Sequence, residues 1–265
     1  MPSPSVSETI ATAKKSGRGV VIGYLPMGFP DLATSVEAAV ALAEEGFDVL
    51  ELGVPYSDPV MDGPLISRST QRALEGGFKL RDLFPAISEI TSRVDIPVLV
   101  MTYWNPVVQY GVEKFTTDLL AAGAKGLITP DLIPDEAGEW LDISERLGAE
   151  RVFLAAPSSS DERLARAVEE SRGFVYAVST MGITGTRAGV DQAAHTVVSR
   201  LREQHADSVC VGLGISTGEH VDEVLAYADG AIVGSALVRA LDEGGLGQLR
   251  AVAAGLTKHS GLQAR

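Results

Sequence analysis

The chain has 265 residues, 45% of them hydrophobic, and a formal net charge of −13 at pH 7. This acidic balance argues against binding to nucleic acid or to an anionic membrane surface, because affinity for either depends on clustered Lys and Arg. No apolar run approaches the roughly 20 residues of a membrane helix and the N-terminus lacks the apolar core of a signal peptide, so a cytoplasmic location is expected.

Short apolar runs alternate with amphipathic stretches along the chain, and no linker divides them. Eight runs are predicted as buried strands, at 19–25, 48–54, 97–103, 126–130, 151–156, 174–179, 208–214 and 230–234. Stretches with helical spacing of apolar residues lie between them, at 35–46, 115–124, 136–148, 161–173 and 193–205. Strand followed by helix, eight times, predicts one α/β domain over residues 1–265, a (β/α)₈ barrel, whose usual length is about 250 residues.

Two further helices are predicted. Residues 6–17 form an amphipathic segment that would add an N-terminal helix closing the bottom of the barrel, and Ser69–Leu74 would form a short helix after the second strand. A doubly wound Rossmann sheet shows the same alternation of strand and helix, but no G-x-G-x-x-G follows the first strand. The closed barrel is therefore the favoured fold.

The second strand carries a carboxylate, Glu51, and runs into a loop with two more, Asp58 and Asp62. Strand alternation puts Val49, Glu51 and Gly53 on one face. A carboxylate in an apolar setting costs several kcal/mol unless it is paired, or it raises its pKa toward the range where it can donate a proton. Because barrel enzymes place catalytic groups at the carboxyl ends of strands, Glu51 is predicted to act in acid–base chemistry. Asp58 and Asp62, by themselves, are typical of turns.

Other catalytic groups are poorly placed. All four histidines fall in predicted outer helices or near the C-terminus, and none of the six lysines lies at the carboxyl end of a strand. Cys210 lies in an apolar run, which favours an inert buried thiol over a reactive one. Two carboxyl groups in different surroundings can supply an acid and a base, and this is the preferred chemistry. A metal held by Glu51, Asp58 and Asp62 is the weaker alternative, since their spacing matches no recognised ligand pattern.

Gly-rich turns follow the last three predicted strands, in the segments MGITG, VGLGIS and IVGSALV. Barrels often hold a phosphate in this region, at the N-terminus of a helix whose free amides point at it. The turns thus favour a phosphate site, although glycine also ends strands for geometric reasons. Arg239, one turn further along the last helix, is expected to be a solvated surface residue.

Six motifs in the right order, ELGVPYSDPVMDGP, MTYWNP, TPDLIPDE, MGITGTR, GLGIS and VGSALV, resemble those of the tryptophan synthase α subunit over nearly the whole chain. The resemblance implies a (β/α)₈ barrel that cleaves indole-3-glycerol phosphate to indole and glyceraldehyde 3-phosphate by a retro-aldol reaction, without a metal or a cofactor of its own. It also implies a β-subunit partner that holds pyridoxal phosphate and receives indole through a tunnel, in an α2β2 heterotetramer.

The resemblance implies roles for individual residues. Glu51 would be the acid–base residue at indole C3, Asp62 would meet the indole N–H, and Thr184 would pair with Asp62 on closure. The residues implied to surround the indole ring and the glutamate are Tyr24, Tyr103, Tyr176 and Leu213. Those implied to bind phosphate are Gly185, Gly214, Gly234 and Ser235. The surface implied to contact the β subunit comprises residues 56–58 and 105–110, in which Val107 and Val108 are expected to be exposed.

Three departures from the family pattern fall in loops: Tyr56 stands where phenylalanine is common, Met61 where a small residue is usual, and the sixth loop begins STMGITG without the usual basic residue. Both loop segments, 56–64 and 180–189, are rich in Gly and small residues and are predicted to act as lids. The departures are expected to affect closure and signalling between subunits more than the reaction.

Three other functions stay open on sequence grounds. A phosphoribosyl isomerase would need acids where the chain has Tyr24 and Ala156, and an indole glycerol phosphate synthase would need lysines that it lacks. A stand-alone indole-releasing lyase fits the same residues. A non-catalytic subunit that senses the ligand is disfavoured by Glu51 and Asp62.

Overall fold

The computed structural model describes residues 3–178, 187–212 and 214–258, with side chains from residue 192 onward in the second range. Thr184, Gly185 and Leu213 therefore lie outside the described residues. The α-helices of the described part are α1 (Val6–Lys15), α2 (Leu32–Glu44), α3 (Pro64–Glu75), α4 (Leu83–Arg93), α5 (Trp104–Tyr110), α6 (Val112–Ala121), α7 (Gly138–Leu147), α8 (Asp161–Glu170), α9 (Arg187–Glu203), α10 (Gly218–Leu225) and α11 (Ser235–Thr257). The strands there are β1 (Val20–Pro26), β2 (Val49–Gly53), β3 (Val98–Met101), β4 (Gly126–Ile128), β5 (Glu150–Val152), β6 (Leu154–Ala155), β7 (Val175–Val178), β8 (Val209–Gly212) and β9 (Gly230–Val233).

All the named strands pair in parallel, in the order β5-β4-β3-β2-β1-β9-β8-β7-β6. The two ends of this order, β5 and β6, are joined by Phe153 alone, so the sheet is a nearly closed barrel, as predicted. The expected strand at 151–156 is divided because its first half bonds to β4 and its second half to β7. Inward and outward side chains still alternate across the break, since Val152 and Leu154 face the barrel interior while Phe153 packs in the outer core.

The core has two layers. One fills the barrel interior and includes Val49, Ile128 and Cys210, whereas the larger one lies between the strands and the surrounding helices and includes Leu50 and Leu52. The alternation predicted for the second strand is thus confirmed, with Glu51 on the interior side between Val49 and Gly53. Cys210 is fully buried, as expected.

Helix α1 closes the bottom of the barrel, as predicted. Its buried residues Val6, Ile10 and Ala13 pack into the interior cluster. The carboxylate of Glu150, at the start of β5, accepts the backbone N–H of Val6 at 2.8 Å and that of Ser7 at 2.9 Å. These are amides of the first turn, which have no partner within the helix, so Glu150 fixes the helix N-terminus against the barrel.

The helix predicted at Ser69–Leu74 is longer than expected and runs from Pro64 to Glu75. Proline at the first helical position favours this early start, since its missing N–H would have no partner there. None of the helices formed by the described residues is long and apolar enough to cross a membrane.

Candidate active site

Glu51 projects into the barrel near its carboxyl end. The residue is 1% exposed, and its Oε2 atom is buried without a hydrogen-bond partner among the described residues. Burial raises the pKa of Glu51 from the ordinary 4.5 to about 8. At neutral pH the group is therefore mostly protonated and is placed to act as a proton donor.

Asp62 lies in the loop between β2 and α3 and is held by a tyrosine from the next strand. The Tyr103 hydroxyl donates to Oδ1 of Asp62 over 3.1 Å and accepts the backbone N–H of Met61 over 2.9 Å. Burial raises the pKa of Asp62, and the hydrogen bond from Tyr103 partly offsets that rise. The site thus contains two carboxyl groups in different surroundings, one enclosed with an oxygen that no described residue bonds, the other bonded at the rim.

A second contact ties the same loop to α5. The rings of Tyr56 and Tyr103 pack with their centroids 5.2 Å apart, and the side-chain amide of Asn105 donates to the Tyr56 hydroxyl over 3.1 Å. At the tip of the loop, Val60 is 79% exposed. The loop is therefore attached on the side that carries Asp62.

Two more tyrosines enclose Glu51. Tyr24 pairs in register with Glu51 on the neighbouring strand, and the hydroxyl of Tyr176 lies over Gly212, 2.4 Å from where a Cβ atom on that glycine would be. Burial, and then nearby negative charge that includes Glu51, raises the pKa of both phenols well above the usual 10. Both hydroxyls stay protonated and can donate hydrogen bonds at any physiological pH.

Across the barrel mouth, an open cleft of about 680 Å³ is lined by residues that include Gly214, Ser216, Ser235 and Arg239. Gly214 has a φ of 65°, a backbone conformation that favours glycine. Gly234 precedes the first residue of α11, so the free amides of the first turn lie beside this cleft. Such a helix end suits an anion.

A comparison with known proteins agrees with this geometry. The family model of the tryptophan synthase alpha chain matches residues 10–263. The chain belongs to this family. The tryptophan synthase alpha chain of Leifsonia xyli is 65% identical over 253 residues, which cover 96% of this chain and 97% of the relative. The tryptophan synthase structure from Mycobacterium tuberculosis is 50% identical, with a TM-score of 0.91 over 98% of this chain and 99% of that chain. A tryptophan synthase complex from Pyrococcus furiosus is 35% identical, with a TM-score of 0.82 over 91% and 98%.

As a tryptophan synthase α chain, the protein is a lyase of tryptophan biosynthesis that cleaves indole-3-glycerol phosphate. The predictions of the family, the barrel and the reaction are confirmed. The isomerase, the indole glycerol phosphate synthase and the non-catalytic sensor do not fit this membership.

Some side chains of this tryptophan synthase α chain have other surroundings than their sequence suggested. Asp131, which follows β4, is exposed and accepts the backbone N–H of Trp104 at 2.9 Å, which fixes the start of α5. Val107 was expected to be exposed and is fully buried, because it faces the core from α5; Val108 is 48% exposed, as expected. The bond between Asn105 and Tyr56 was missed, although the unusual Tyr56 hydroxyl was the available signal.

Asp58 accepts the hydroxyl of Ser57 at 2.5 Å and does not join Glu51 and Asp62. Among the residues that the structure describes, no three His, Cys, Asp or Glu side chains come together in the manner of metal ligands. Arg239 is exposed, as predicted.

Proposed function

We propose that Glu51 and Asp62 carry out the retro-aldol cleavage. The observation that carries the proposal is the buried carboxyl of Glu51, whose Oε2 atom has no partner among the described residues and whose pKa of about 8 makes it a proton donor at neutral pH. Glu51 gives its proton to C3 of the indole ring. The resulting carboxylate takes the proton of the hydroxyl on the adjacent chain carbon as the bond from C3 to that carbon breaks. Indole and an aldehyde leave, and Glu51 is protonated again.

Asp62 stabilises the positive charge that develops in the ring when C3 is protonated, because its carboxylate faces the indole N–H. An ionised group in a partly enclosed site interacts with such a charge more strongly than it would in water. The bond from Tyr103 supports this role, since it orients the carboxylate and favours its ionised form. In the closed state, Thr184 takes part in holding Asp62.

The remaining residues bind the two ends of the substrate. Tyr24, Tyr103 and Leu213 line the indole pocket, and Tyr176 lies beside Glu51. Gly185, Gly214, Gly234 and Ser235 bind the phosphate through backbone amides and the serine hydroxyl. The left-handed backbone of Gly214 and the position of Gly234 and Ser235 at the start of α11 support this assignment.

The partner is the tryptophan synthase β subunit, in an α2β2 assembly, and pyridoxal phosphate belongs to that subunit. The segments that follow β2, β3 and β4, which are neighbours in the sheet, expose Val60, Val108 and Ile133. Apolar side chains grouped on one rim fit a protein interface. We place the enzyme in the cytoplasm and propose that the whole chain forms one barrel domain.

The direct test is to incubate the purified chain with indole-3-glycerol phosphate and measure indole, with and without the β subunit. We expect slow release alone and a large increase with the partner; a rate that the partner leaves unchanged would instead support a stand-alone lyase. Glu51→Gln should abolish turnover while substrate still binds, and wild-type activity in this variant would falsify the role of Glu51. Asp62→Asn should lower kcat by about 10²-fold or more. Loss of activity on treatment with a chelator would overturn the metal-free mechanism.

A further inference from the structure

Tyr24 occupies a particular place in the ring of strands. The order β8-β9-β1-β2 puts β1 between the strands that lead to Gly214 and Gly234 and the strand that carries Glu51. A substrate that reaches from the phosphate site to Glu51 and Asp62 must therefore cross the carboxyl end of β1. Tyr24 is the last residue of that strand with a polar side-chain atom, since Leu25 and Pro26 complete it.

The phenol ring of Tyr24 spans the distance between the phosphate end of the site and the strand that carries Glu51. A Cβ atom added to Gly234 would lie 3.3 Å from Cδ1 of Tyr24, and one added to Gly53 would lie 2.3 Å from its hydroxyl oxygen. The ring thus begins beside the phosphate end and places its hydroxyl over Gly53, two residues beyond Glu51. The close approach at Gly53 leaves no room for a side chain there while the phenol keeps this direction.

The hydroxyl makes no hydrogen bond to another described residue, and it is not among their fully buried unpaired atoms, so the hydroxyl itself is accessible although the residue is only 8% exposed. This is unlike Tyr103, whose hydroxyl bonds to both Asp62 and Met61. An accessible hydroxyl in a largely enclosed site is free to donate a hydrogen bond to a ligand bound there. Burial and nearby carboxylates raise its pKa, so it remains a donor throughout the working range of pH.

We propose that the Tyr24 hydroxyl donates a hydrogen bond to a hydroxyl oxygen of the glycerol chain of indole-3-glycerol phosphate. The inference rests on the proposed function, because it takes the phosphate and indole ends to be bound as described above. The glycerol chain is the part of the substrate that lies between those ends. Tyr24 would then line the indole pocket with its ring and select a hydroxylated chain with its phenol group.

Tyr24→Phe tests this, because it removes the hydroxyl and keeps the ring. The probes are indole-3-glycerol phosphate and indole-3-propanol phosphate, which carries the same indole and phosphate but lacks both chain hydroxyls. The dissociation constants are measured by calorimetry on the full chain carrying Glu51→Gln, in which the intact substrate should not turn over. We expect Tyr24→Phe to weaken binding of the glycerol compound roughly 3- to 10-fold and to change binding of the propanol compound less than about 2-fold.

Tyr227→Phe is the matched control, since this tyrosine packs against His195 in the outer layer, with ring centroids 4.9 Å apart. Tyr227→Phe should leave the dissociation constants of both compounds unchanged. Tyr24→Leu, which also removes the ring, should weaken binding of both compounds. In the otherwise wild-type chain, Tyr24→Phe should lower kcat/KM by a factor similar to the loss of affinity and leave the pH limits of activity in place.

The inference would be overturned if Tyr24→Phe weakened binding of both compounds equally, or if it weakened binding of neither. A shift of the pH profile would overturn it as well, because the hydroxyl would then act on Asp62 or Glu51 rather than on the substrate. These outcomes differ from failure of the proposed function, in which the wild-type chain itself would neither cleave nor bind indole-3-glycerol phosphate.

Discussion

The Tyr103 hydroxyl donates to Oδ1 of Asp62 over 3.1 Å, so a residue at the end of β3 holds a carboxylate of the loop that follows β2. The bond lowers the pKa of a carboxyl group whose burial raises it. It therefore keeps Asp62 both oriented and ionised at a lower pH than burial alone would allow.

Tyr103→Phe should move the acidic limit of activity to higher pH, because Asp62 loses the bond that favours its charged form. We also expect kcat/KM to fall about 10-fold at neutral pH, the usual scale for a lost bond to a charged group. The measurement is a pH profile of kcat/KM with the isolated chain. Tyr56→Phe, which removes the neighbouring hydroxyl and its bond from Asn105, should leave the acidic limit in place. An unmoved limit in Tyr103→Phe would show that the bond does not control Asp62.

The alkaline limit of activity should depend on Glu51. Because the protonated form is the donor and its pKa is about 8, kcat/KM should fall as pH rises above about 8. The pH profile of the wild-type chain, recorded with saturating and with limiting substrate, checks this. Activity that stays constant to pH 10 would contradict the role of Glu51 as the acid.

The same group should make stability depend on pH. Between the ordinary pKa of 4.5 and about 8, the unfolded carboxyl is ionised while the folded one keeps its proton, so stability falls as pH rises through this window. The glutamine of Glu51→Gln cannot ionise. The free energy of unfolding of this variant, relative to that of the wild type, should therefore increase by an amount on the order of a few kcal/mol between pH 4.5 and pH 8.5. Urea unfolding at both pH values measures the gain. Glu139→Gln, on the exposed surface of α7, controls for the loss of one charge; an equal gain there would contradict the assignment.

Gly212→Ala should inactivate the enzyme without unfolding it. The new Cβ would lie 2.4 Å from the Tyr176 hydroxyl and 2.9 Å from its Cε1, so the ring beside Glu51 must shift. We expect kcat/KM to fall at least 10-fold, measured together with thermal unfolding. Gly255→Ala is the control, since a Cβ there meets open space in the exposed part of α11, and it should stabilise the chain by roughly 0.5 to 1 kcal/mol. Full activity of Gly212→Ala would show that Tyr176 can move without consequence.

Glu150→Gln should loosen α1 from the barrel. The carboxylate accepts the amides of Val6 and Ser7 and the Ser7 hydroxyl, whereas a glutamine would turn an NH₂ group toward these donors. The expected cost is about 2 kcal/mol, with faster hydrogen exchange along α1. Glu8→Gln, in the exposed capping box of the same helix, should cost less than 1 kcal/mol. Unchanged hydrogen exchange along α1 in Glu150→Gln would contradict the role of Glu150 in holding this helix against the barrel.

Much of the fold could be predicted because its signals are local. The alternation at residues 48–54 was sufficient to place Glu51 on the interior face, and apolar spacing was sufficient to find α1 and α2. The motifs led to the family through resemblance rather than through geometry. Asp62 is the clearest example, since by itself it is typical of a turn.

The errors arose where a side chain's surroundings depend on another element. Val107 lies in a short helix whose buried face could not be known before α5 was placed against the barrel. The fifth strand was predicted whole, but it divides because its two halves bond to opposite neighbours.

The sequence by itself determined the order of strands and helices and the inward direction of Glu51, since each follows from residue spacing within a few turns or one strand. Its motifs, spread over nearly the whole chain, led to the family by resemblance. Only the tertiary structure decided that Tyr103 holds Asp62, that Tyr24 lies between Gly234 and Gly53, and that Glu150 caps a helix 144 residues away. Hydrogen bonds of this kind require distances correct to a few tenths of an ångström between distant parts of the chain. Closure of the barrel sets those distances, and no local pattern encodes them.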